Sequence, residues 1–330
     1  LLRPAILCDA SHNGAEFILR FRDGRRYGFT YYAAKLKWME DRNGNRITIV
    51  RDGSGRVTSL ISPNGRWIEF EYTAATCTTC ITKATDNAGR VVSYTYDASG
   101  RLTQVTNPEG GITEYAYDAS HRITTVKDPR GNFKVTNEYD ANGRVSKQTY
   151  ADNTANLFAY TLDANNKVVQ TDVTRERGDV RRIVYDATGN ITSETLALGK
   201  PEQQVRSFTY NANKQLETET DPLGRVTRHE YDAKGNRTKL TRMYGTAEAT
   251  SWNTTYDTTF SQVKTMTDPL GRVTTYTYDT KGNLTQIKDP LNHLTDIAYN
   301  SAGQPLTLKR YAGSSTLTTT FGYEGGDLVS

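Results

Sequence analysis

Hydrophobic and polar residues alternate along most of this chain with a period of two, in short runs cut by turn residues. Val91–Tyr96 (VVSYTY) is rich in β-branched and aromatic residues, and Leu102–Thr106 alternates apolar with polar. Such runs predict strands, and no segment shows the three- and four-residue apolar spacing of a helix. Between the runs stand Asp97-Ala-Ser-Gly100 and Asn107-Pro-Glu-Gly110. In the first, Asp opens the turn by accepting backbone N–H groups, and Gly closes it at a positive φ where a Cβ would clash. That chemistry suits a type I turn followed by a one-glycine bulge. The second turn recurs as Asp128-Pro-Arg-Gly131 and as Asp-Pro-Leu-Gly at 221–224 and 268–271. There Pro fixes φ at the second turn position. Residues 91–112 are therefore a unit of two strands and two turns.

The unit repeats. Tyr-Asp occurs at 96–97, 117–118, 139–140, 185–186, 231–232, 256–257 and 278–279. Asn replaces Asp in Tyr210-Asn211 and Tyr299-Asn300, and Leu162-Asp163 stands where one copy is missing. Steps between copies run from about 21 to 25 residues, which marks a repeat architecture whose function rests on its stacked form. The predicted fold is all-β, a long antiparallel β-hairpin meander of roughly 26 to 30 strands spaced ~4.8 Å apart. A strip about 130–140 Å wide cannot stay flat, because each strand twists on its neighbour. It is expected to coil into a hollow, barrel-like spiral, with its first and last strands unpaired. Tyr94 and Tyr96 share a face, as do Tyr276 and Tyr278, which predicts ladders of cross-strand aromatic pairs.

The structural repeat residues are Tyr96, Asp97 and Gly100; Tyr117 and Asp118; Tyr139, Asp140 and Gly143; Tyr185, Asp186 and Gly189; Tyr231, Asp232 and Gly235; and Tyr278, Asp279 and Gly282. Each Tyr is read as packing and each Asp as a turn cap. Residues 152–182 and 245–262 lack clean turns, and Phe260 stands where Gly is due, so longer hairpins or bulges are expected there. Residues 17–29 read as a hairpin around Asp23-Gly24, while the turns at Asp41–Asn45 and Asp52–Arg56 have no preceding Tyr. Residues 1–72 are thus a divergent start of the sheet and 73–330 its regular strip, one continuous body. The chain opens at Leu1 without a Met, as a fragment of a longer protein would.

Composition narrows the function. Only 36% of residues are hydrophobic, and mean hydropathy is -0.67. The 21 tyrosines and many threonines favour strands with a half-wet surface. The net charge of +4 is spread over every repeat, whereas a nucleic-acid binder clusters it on one face. No apolar run is long enough to span a bilayer as a helix. Cys8, Cys77 and Cys80 are too few for a disulfide-built scaffold. Cys77-Thr-Thr-Cys80 has the spacing of a redox or metal pair, but no second Cys pair and no His follows. That leaves a local disulfide or two free thiols in one longer hairpin turn. His12, His121, His229 and His293 show no metal-ligand spacing and are placed at the surface or in turns. No nucleophile elbow and no phosphate-cradling loop occurs. No catalytic, cofactor-binding or metal residue is assigned. Asn-x-Ser/Thr at Asn190, Asn236, Asn253 and Asn283 is mostly a by-product of the repeat's own Gly-Asn-x-Thr form.

Tyr-Asp-Ala-x-Gly-Arg-Leu-Thr, as at 96–103, and Asp-Pro-Leu-Gly-Arg-Val-Thr, as at 221–227, resemble the RHS/YD repeat of bacterial secreted and surface proteins and animal teneurins. The resemblance runs through the whole chain, most cleanly over 84–310. It implies a β-strip coiled into a shell. In polymorphic toxins and the Tc toxin cage, that shell encloses a C-terminal toxin. It also implies a secreted or cell-surface location, with the chain's own C-terminal effector, further repeats or a secretion-system or toxin-complex component as partners. The terminal core segment and self-cleaving aspartates of such shells have no counterpart here, so protease activity is not carried over. The leading expectation is a non-enzymatic wall segment. The alternative is an extracellular adhesin or filament binding glycans or other copies through its β-surface.

Overall fold

The structure, a computed structural model, describes residues 16–30, 33–313 and 315–330; Cys8 and His12 lie outside them. The described residues form thirty strands, from Glu16–Arg20 to Asp327–Leu328, and no helix. Twenty-eight strands make an antiparallel sheet, and Tyr323–Glu324 with Asp327–Leu328 makes a small separate hairpin. Glu16–Arg20 pairs with Arg26–Thr30, and Ser315–Thr320 pairs with Pro305–Ala312. No pairing among the described residues joins those outer strands, so strand pairing does not close the sheet into a barrel.

The chain groups into two compact units, one of Phe70–Arg228 with Met243–Thr246, the other of Leu1–Glu69, His229–Arg242 and Ala247–Ser330. Each is a meander of sequential hairpins with two unlike faces. In the first unit, one face carries Tyr94 opposite Val105, Tyr115 opposite Val126, Val126 opposite Val135, and Phe158 opposite Val173. Its other face carries Thr95 and Gln104, Gln104 and Glu114, and Thr125, Thr136 and Thr149 in a row. The second unit repeats the division. Ile49, Leu60 and Ile68 run across one face with Leu240 opposite Trp252 and Tyr276 opposite Ile287. Thr255, Thr265 and Thr275 run across the other.

The sheet is a single layer. Among the described residues Trp38 is the one buried hydrophobic side chain, at 6% exposure. It is held by local means: its ring lies where a Cβ on cross-strand Gly28 would be, 2.1 Å away, and the Arg46 guanidinium stacks on it at 4.0 Å. Beside it the buried Glu40 carboxylate pairs with Arg26 and, at 2.8 Å, with Arg46.

Two kinds of turn join the strands. Turns after a Tyr-Asp strand carry a one-residue register shift beside them, as at Thr95/Tyr96, Glu138/Tyr139 and Thr277/Tyr278. The same shift occurs at Gly28/Phe29 and Val50/Arg51, so the hairpins after those residues are of the tyrosine kind, with Phe29 and Arg51 at the shift in place of Tyr. The turns at 21–25, 41–45 and 62–66 alternate with them and are of the other, proline kind. (One proline-kind hairpin, at Val126/Lys127, also shifts.)

Within the second unit these early proline-kind turns lie against late segments, the Asp232 and Asn300 tyrosine-side turns and the Tyr323–Leu328 hairpin. Arg22 Nη1 donates to the Lys234 carbonyl. Asn45 Nδ2 donates to the Ala302 carbonyl at 2.8 Å, and Asn64 Nδ2 to that of Gly325 at 2.7 Å. Arg66 pairs with Asp327. The approach is close enough to require glycine: a Cβ on Gly303 would lie 2.2 Å from Asn43 Nδ2. Phe260 supplies a further wedge, its ring 2.7 Å from a Cβ on Gly282 and 2.9 Å from one on Gly24.

A paired substitution separates this contact from turn strain. Gly303 and Gly189 both sit at positive φ, 80° and 89°, but a Cβ on Gly189 meets nothing within 4 Å. Gly189→Ala should cost roughly 1–2 kcal/mol for the left-handed backbone alone. Gly303→Ala should cost more and also speed hydrogen exchange at 41–45. Equal stabilities in urea and equal exchange in both variants would show that the turn-to-turn contact contributes nothing.

Candidate functional site: the repeated tyrosine turn

The repeated turn is built around one carboxylate. Ser99 and Arg101 amides donate to Asp97 Oδ1 at 2.9 and 3.0 Å, and Arg101 Nε donates to Oδ2 at 2.7 Å. The Gly100 amide donates to the Asp97 carbonyl, and the Asp97 amide to that of Arg101. This is a three-residue loop with Gly100 at φ 74°, the type I turn and glycine bulge that the sequence implies. Asp118 and Asp140 repeat it, with His121 at φ 63° in place of glycine in one and Gly143 at 79° in the other. At Asp186, Asp232 and Asp279 the arginine is replaced by Asn190, Asn236 and Asn283, whose Nδ2 donates to Oδ2 at 2.9, 2.9 and 2.8 Å. Gly189, Gly235 and Gly282 close those turns at φ 89°, 86° and 84°. The three asparagines are glycosylation-sequon residues, yet their amides are committed to carboxylates and Asn283 is only 4% exposed.

The register shift leaves one residue of the following strand bulged. At four of these bulges the residue is a Thr whose hydroxyl donates to the strand opposite: Thr103 to the Thr95 carbonyl at 3.1 Å, Thr192 to Val184 at 3.3 Å, Thr238 to Glu230 at 3.3 Å and Thr285 to Thr277 at 3.1 Å. The Thr that ends Arg-Leu-Thr thus serves the bulge.

The tyrosines link one repeat to the one before. Tyr96 donates its hydroxyl to the Ile81 carbonyl at 2.7 Å, Tyr117 to Leu102 at 2.8 Å, Tyr139 to Ile123 at 2.6 Å, Tyr278 to Val263 at 2.7 Å and Tyr299 to Leu284 at 2.9 Å. The acceptor is the first strand residue after the preceding turn, except for Ile81, which stands two residues before the strand Lys83–Asp86. Tyr210 and Tyr256 make the same bond to Ile191 and Arg237 from 19 residues away rather than 15 or, for Tyr139, 16. The additional residues lie in longer proline-side connections at 197–203 and 243–249. Tyr185 and Tyr231 end the strands that enter the Asp186 and Asp232 turns.

Leu162 stands where a Tyr is absent, and Tyr160 on the same face donates to the Val145 carbonyl at 2.7 Å. It occupies the same cross-strand place as Tyr117 does against Leu102. Turn arginines stack on the next tyrosine: Arg101 on Tyr117 at 5.1 Å, Arg122 on Tyr139 at 4.5 Å and Arg144 on Tyr160 at 4.7 Å. Each guanidinium therefore ties its own carboxylate to the following ring.

Several irregular positions differ from the sequence reading. Residues 152–182 hold clean tight turns, because Asn153 and Asn166 take the positive φ that Gly takes elsewhere. The Asp257 turn has one residue more, and Ser261, not Phe260, is at positive φ, which frees the Phe260 ring to wedge. His229 is not at the surface but 9% exposed, within a strand and 3.5 Å from Arg237. His293 takes the arginine's place on Asp289 at 2.8 Å. Cys77 and Cys80 are joined by a disulfide, with Cα atoms 5.3 Å apart, in the turn that precedes Ile81. Among the described residues no group of three or more His, Cys, Asp or Glu is placed to hold a metal ion. The turn carboxylates are spent on amides and guanidinium groups, and the arrangement is one for holding strands together.

The RHS Repeat family matches residues 81–112, 97–132, 210–247 and 256–293. The chain carries RHS repeats over those residues. Its fold is similar to the crystal structure of TcdB2-TccC3-Cdc42, with TM-score 0.57 and 13% identity over 97% of this chain and 22% of that one. It is likewise similar to TcdB2-TccC3 without its hypervariable C-terminal region, with TM-score 0.56 and 12% identity over 96% and 22%. TcdB2-TccC3 itself gives 0.53 and 13% over 95% and 22%. The chain thus spans about a fifth of the length of those chains and shares their fold. No curated protein matches its sequence.

The repeat chemistry predicts two outcomes. Tyr117→Phe removes the hydroxyl donor of the Leu102 carbonyl and should cost about 1 kcal/mol in urea unfolding. No change would show that the tyrosines act by packing alone. Stability should also form a plateau in pH. The Arg101 amide, against desolvation and aided by the guanidinium and the Ser99 amide, holds Asp97 below its ordinary 3.8. The Asn190 side chain does so most strongly for Asp186. A depressed carboxylate stabilises the fold fully above 3.8 and loses that contribution as pH falls below it. Burial raises Tyr96, Tyr117 and Tyr278 above 10.0, and their contribution is lost as pH rises past that value. Thermal midpoints from pH 2 to 11 should be flat between those limits and fall outside both. A midpoint that peaks near neutrality and declines steadily on either side would contradict this.

Proposed function

We propose that this RHS-repeat segment is a non-enzymatic wall section of a shell that encloses an effector carried C-terminal to it. The observation that carries the reading is the two-faced single layer. One face presents Thr, Gln, Glu and Lys suited to bulk water; the other presents Tyr, Val and Ile that gain from being sheltered. A one-layer wall with a sheltered aromatic face has little use as a compact domain and a plain one as a lining. The contacts of early turns on late turns add a second support, since a strip able to lie on itself can build a wall taller than one strand. The tyrosine face is accordingly the lumen face, and residues 73–330 are the regular strip of which 1–72 is the divergent start. The repeat tyrosines and aspartates carry no catalytic role in this reading. The partners are further repeats, the enclosed segment and a toxin-complex assembly, in a secreted or cell-surface protein. No helix among the described residues is long and apolar enough to cross a membrane.

The test uses the natural full-length protein. Limited proteolysis should leave the region downstream of the repeats intact while the repeats are folded, and cut it rapidly once urea unfolds them. A downstream region digested at the same rate in both states, or a natural chain carrying nothing but repeats, would overturn the encapsulation reading.

A further inference from the structure

One attachment point in the strip is secured differently from the others. The Leu102, Ile123, Val145 and Leu284 carbonyls each accept a tyrosine hydroxyl directly after a turn capped by an Asp carboxylate. The Ile81 carbonyl accepts the Tyr96 hydroxyl directly after the Cys77–Cys80 disulfide. An Asp cap is made of hydrogen bonds that no thiol touches. A disulfide is a covalent bond that a thiol can open.

The disulfide lies at the tip of an exposed connection. Thr78 and Thr79, between the two cysteines, are exposed, and the pair itself is half-buried. A small dithiol therefore reaches it without unfolding the sheet. What the disulfide secures is bonded on both sides. A Cβ on Gly100 would lie 3.7 Å from Cys77 Cβ, so the cysteine turn lies beside the Asp97 turn. One residue beyond Ile81, the Thr82 amide donates to the Glu71 carbonyl at 2.8 Å, and the Thr82 carbonyl accepts the Tyr94 amide at 2.9 Å. The Thr82 hydroxyl donates to the Glu71 carbonyl at 3.1 Å and lies 2.9 Å from that of Thr73. The disulfide turn thus stands between Glu71 of one strand and Tyr94 and Tyr96 of another.

We propose that the Cys77–Cys80 disulfide is a redox-sensitive clip, which a dithiol opens to loosen residues 72–82 from the sheet. A thiolate of the dithiol attacks one sulfur and forms a mixed disulfide, and the other cysteine leaves as a thiolate that takes up a proton. The second thiol of the dithiol, giving up its proton, then attacks the first. The remaining cysteine is expelled and protonated. Two electrons and two protons pass to the protein, and the dithiol leaves as a cyclic disulfide. Oxidising surroundings keep the clip shut, and a reducing compartment opens it. The effect is confined to one hairpin, since the turns that follow, at Asp86 and Asp97, are capped without sulfur. The inference stands whether or not the chain encloses an effector.

Hydrogen exchange read by mass spectrometry tests it, on the whole chain carrying Cys8→Ser so that this pair alone can respond. After air oxidation the chain should offer no thiol to an alkylating reagent. Dithiothreitol, with no denaturant, should then yield two alkylated cysteines. Exchange at 71–82 and at the Tyr94 amide should rise by at least about tenfold on reduction, stay unchanged at 284–299, and return once the reductant is removed in air. Cys77→Ser/Cys80→Ser should exchange at the fast rate with or without dithiothreitol. Free thiols after air oxidation, a pair that opens only in denaturant, exchange at 71–82 that is the same open or closed, or exchange that rises throughout the chain would each overturn the proposal.

Discussion

A sheet one layer thick leaves nearly every side chain within reach of water, and everything else in this chain answers to that constraint. Burial of a core cannot supply the stability that most folds of this length rely on. What replaces it is local and repeated: a carboxylate saturated by two amides and a side-chain donor in many of the turns, and a tyrosine hydroxyl returned to the previous repeat. Both bind neighbours, so stability is a sum over adjacent units. The contacts of residues 21–66 with residues 234–327 are the exception, and the only ones described that tie together segments more than two hundred positions apart.

The Cys77–Cys80 turn shows the same constraint met by other means. No aspartate caps it, yet the residue after it, Ile81, accepts the Tyr96 hydroxyl as Leu102 accepts that of Tyr117. A covalent bond stands where other turns use a carboxylate held by Arg or Asn. The turn must be fixed because the carbonyl behind it is an attachment point.

Strands, turn types, the capping role of Asp97 and its relatives, and the division into two faces were legible because each depends on residues close in sequence. Period-two alternation and the Asp-to-Gly loop are local signals. The hydroxyl role of the tyrosines was hidden, since their acceptors lie about one hairpin away and are backbone atoms of unremarkable residues. Leu162 read as a missing copy because Tyr160 serves the same carbonyl from two positions earlier. Asn153 and Asn166 disguised ordinary turns, since asparagine tolerates the left-handed backbone nearly as glycine does. His229 is buried through its place within a strand, which spacing alone does not reveal. The role of Asn43 against Gly303 carried no signal, because turn chemistry already accounted for both residues.

The unequal hydroxyl reach of the tyrosines has a consequence for how such a chain can change. Fifteen residues or nineteen, the bond lands on the same place in the ladder. The molecule therefore keeps count in strands and is indifferent to the length of polypeptide between them, provided the surplus leaves on the proline side. Insertions at 197–203 or 243–249 would add decoration without altering the pitch. A single residue gained along the strands needs a bulge to keep the faces in phase, as at Val126/Lys127, where Tyr139 reaches Ile123 from sixteen residues away.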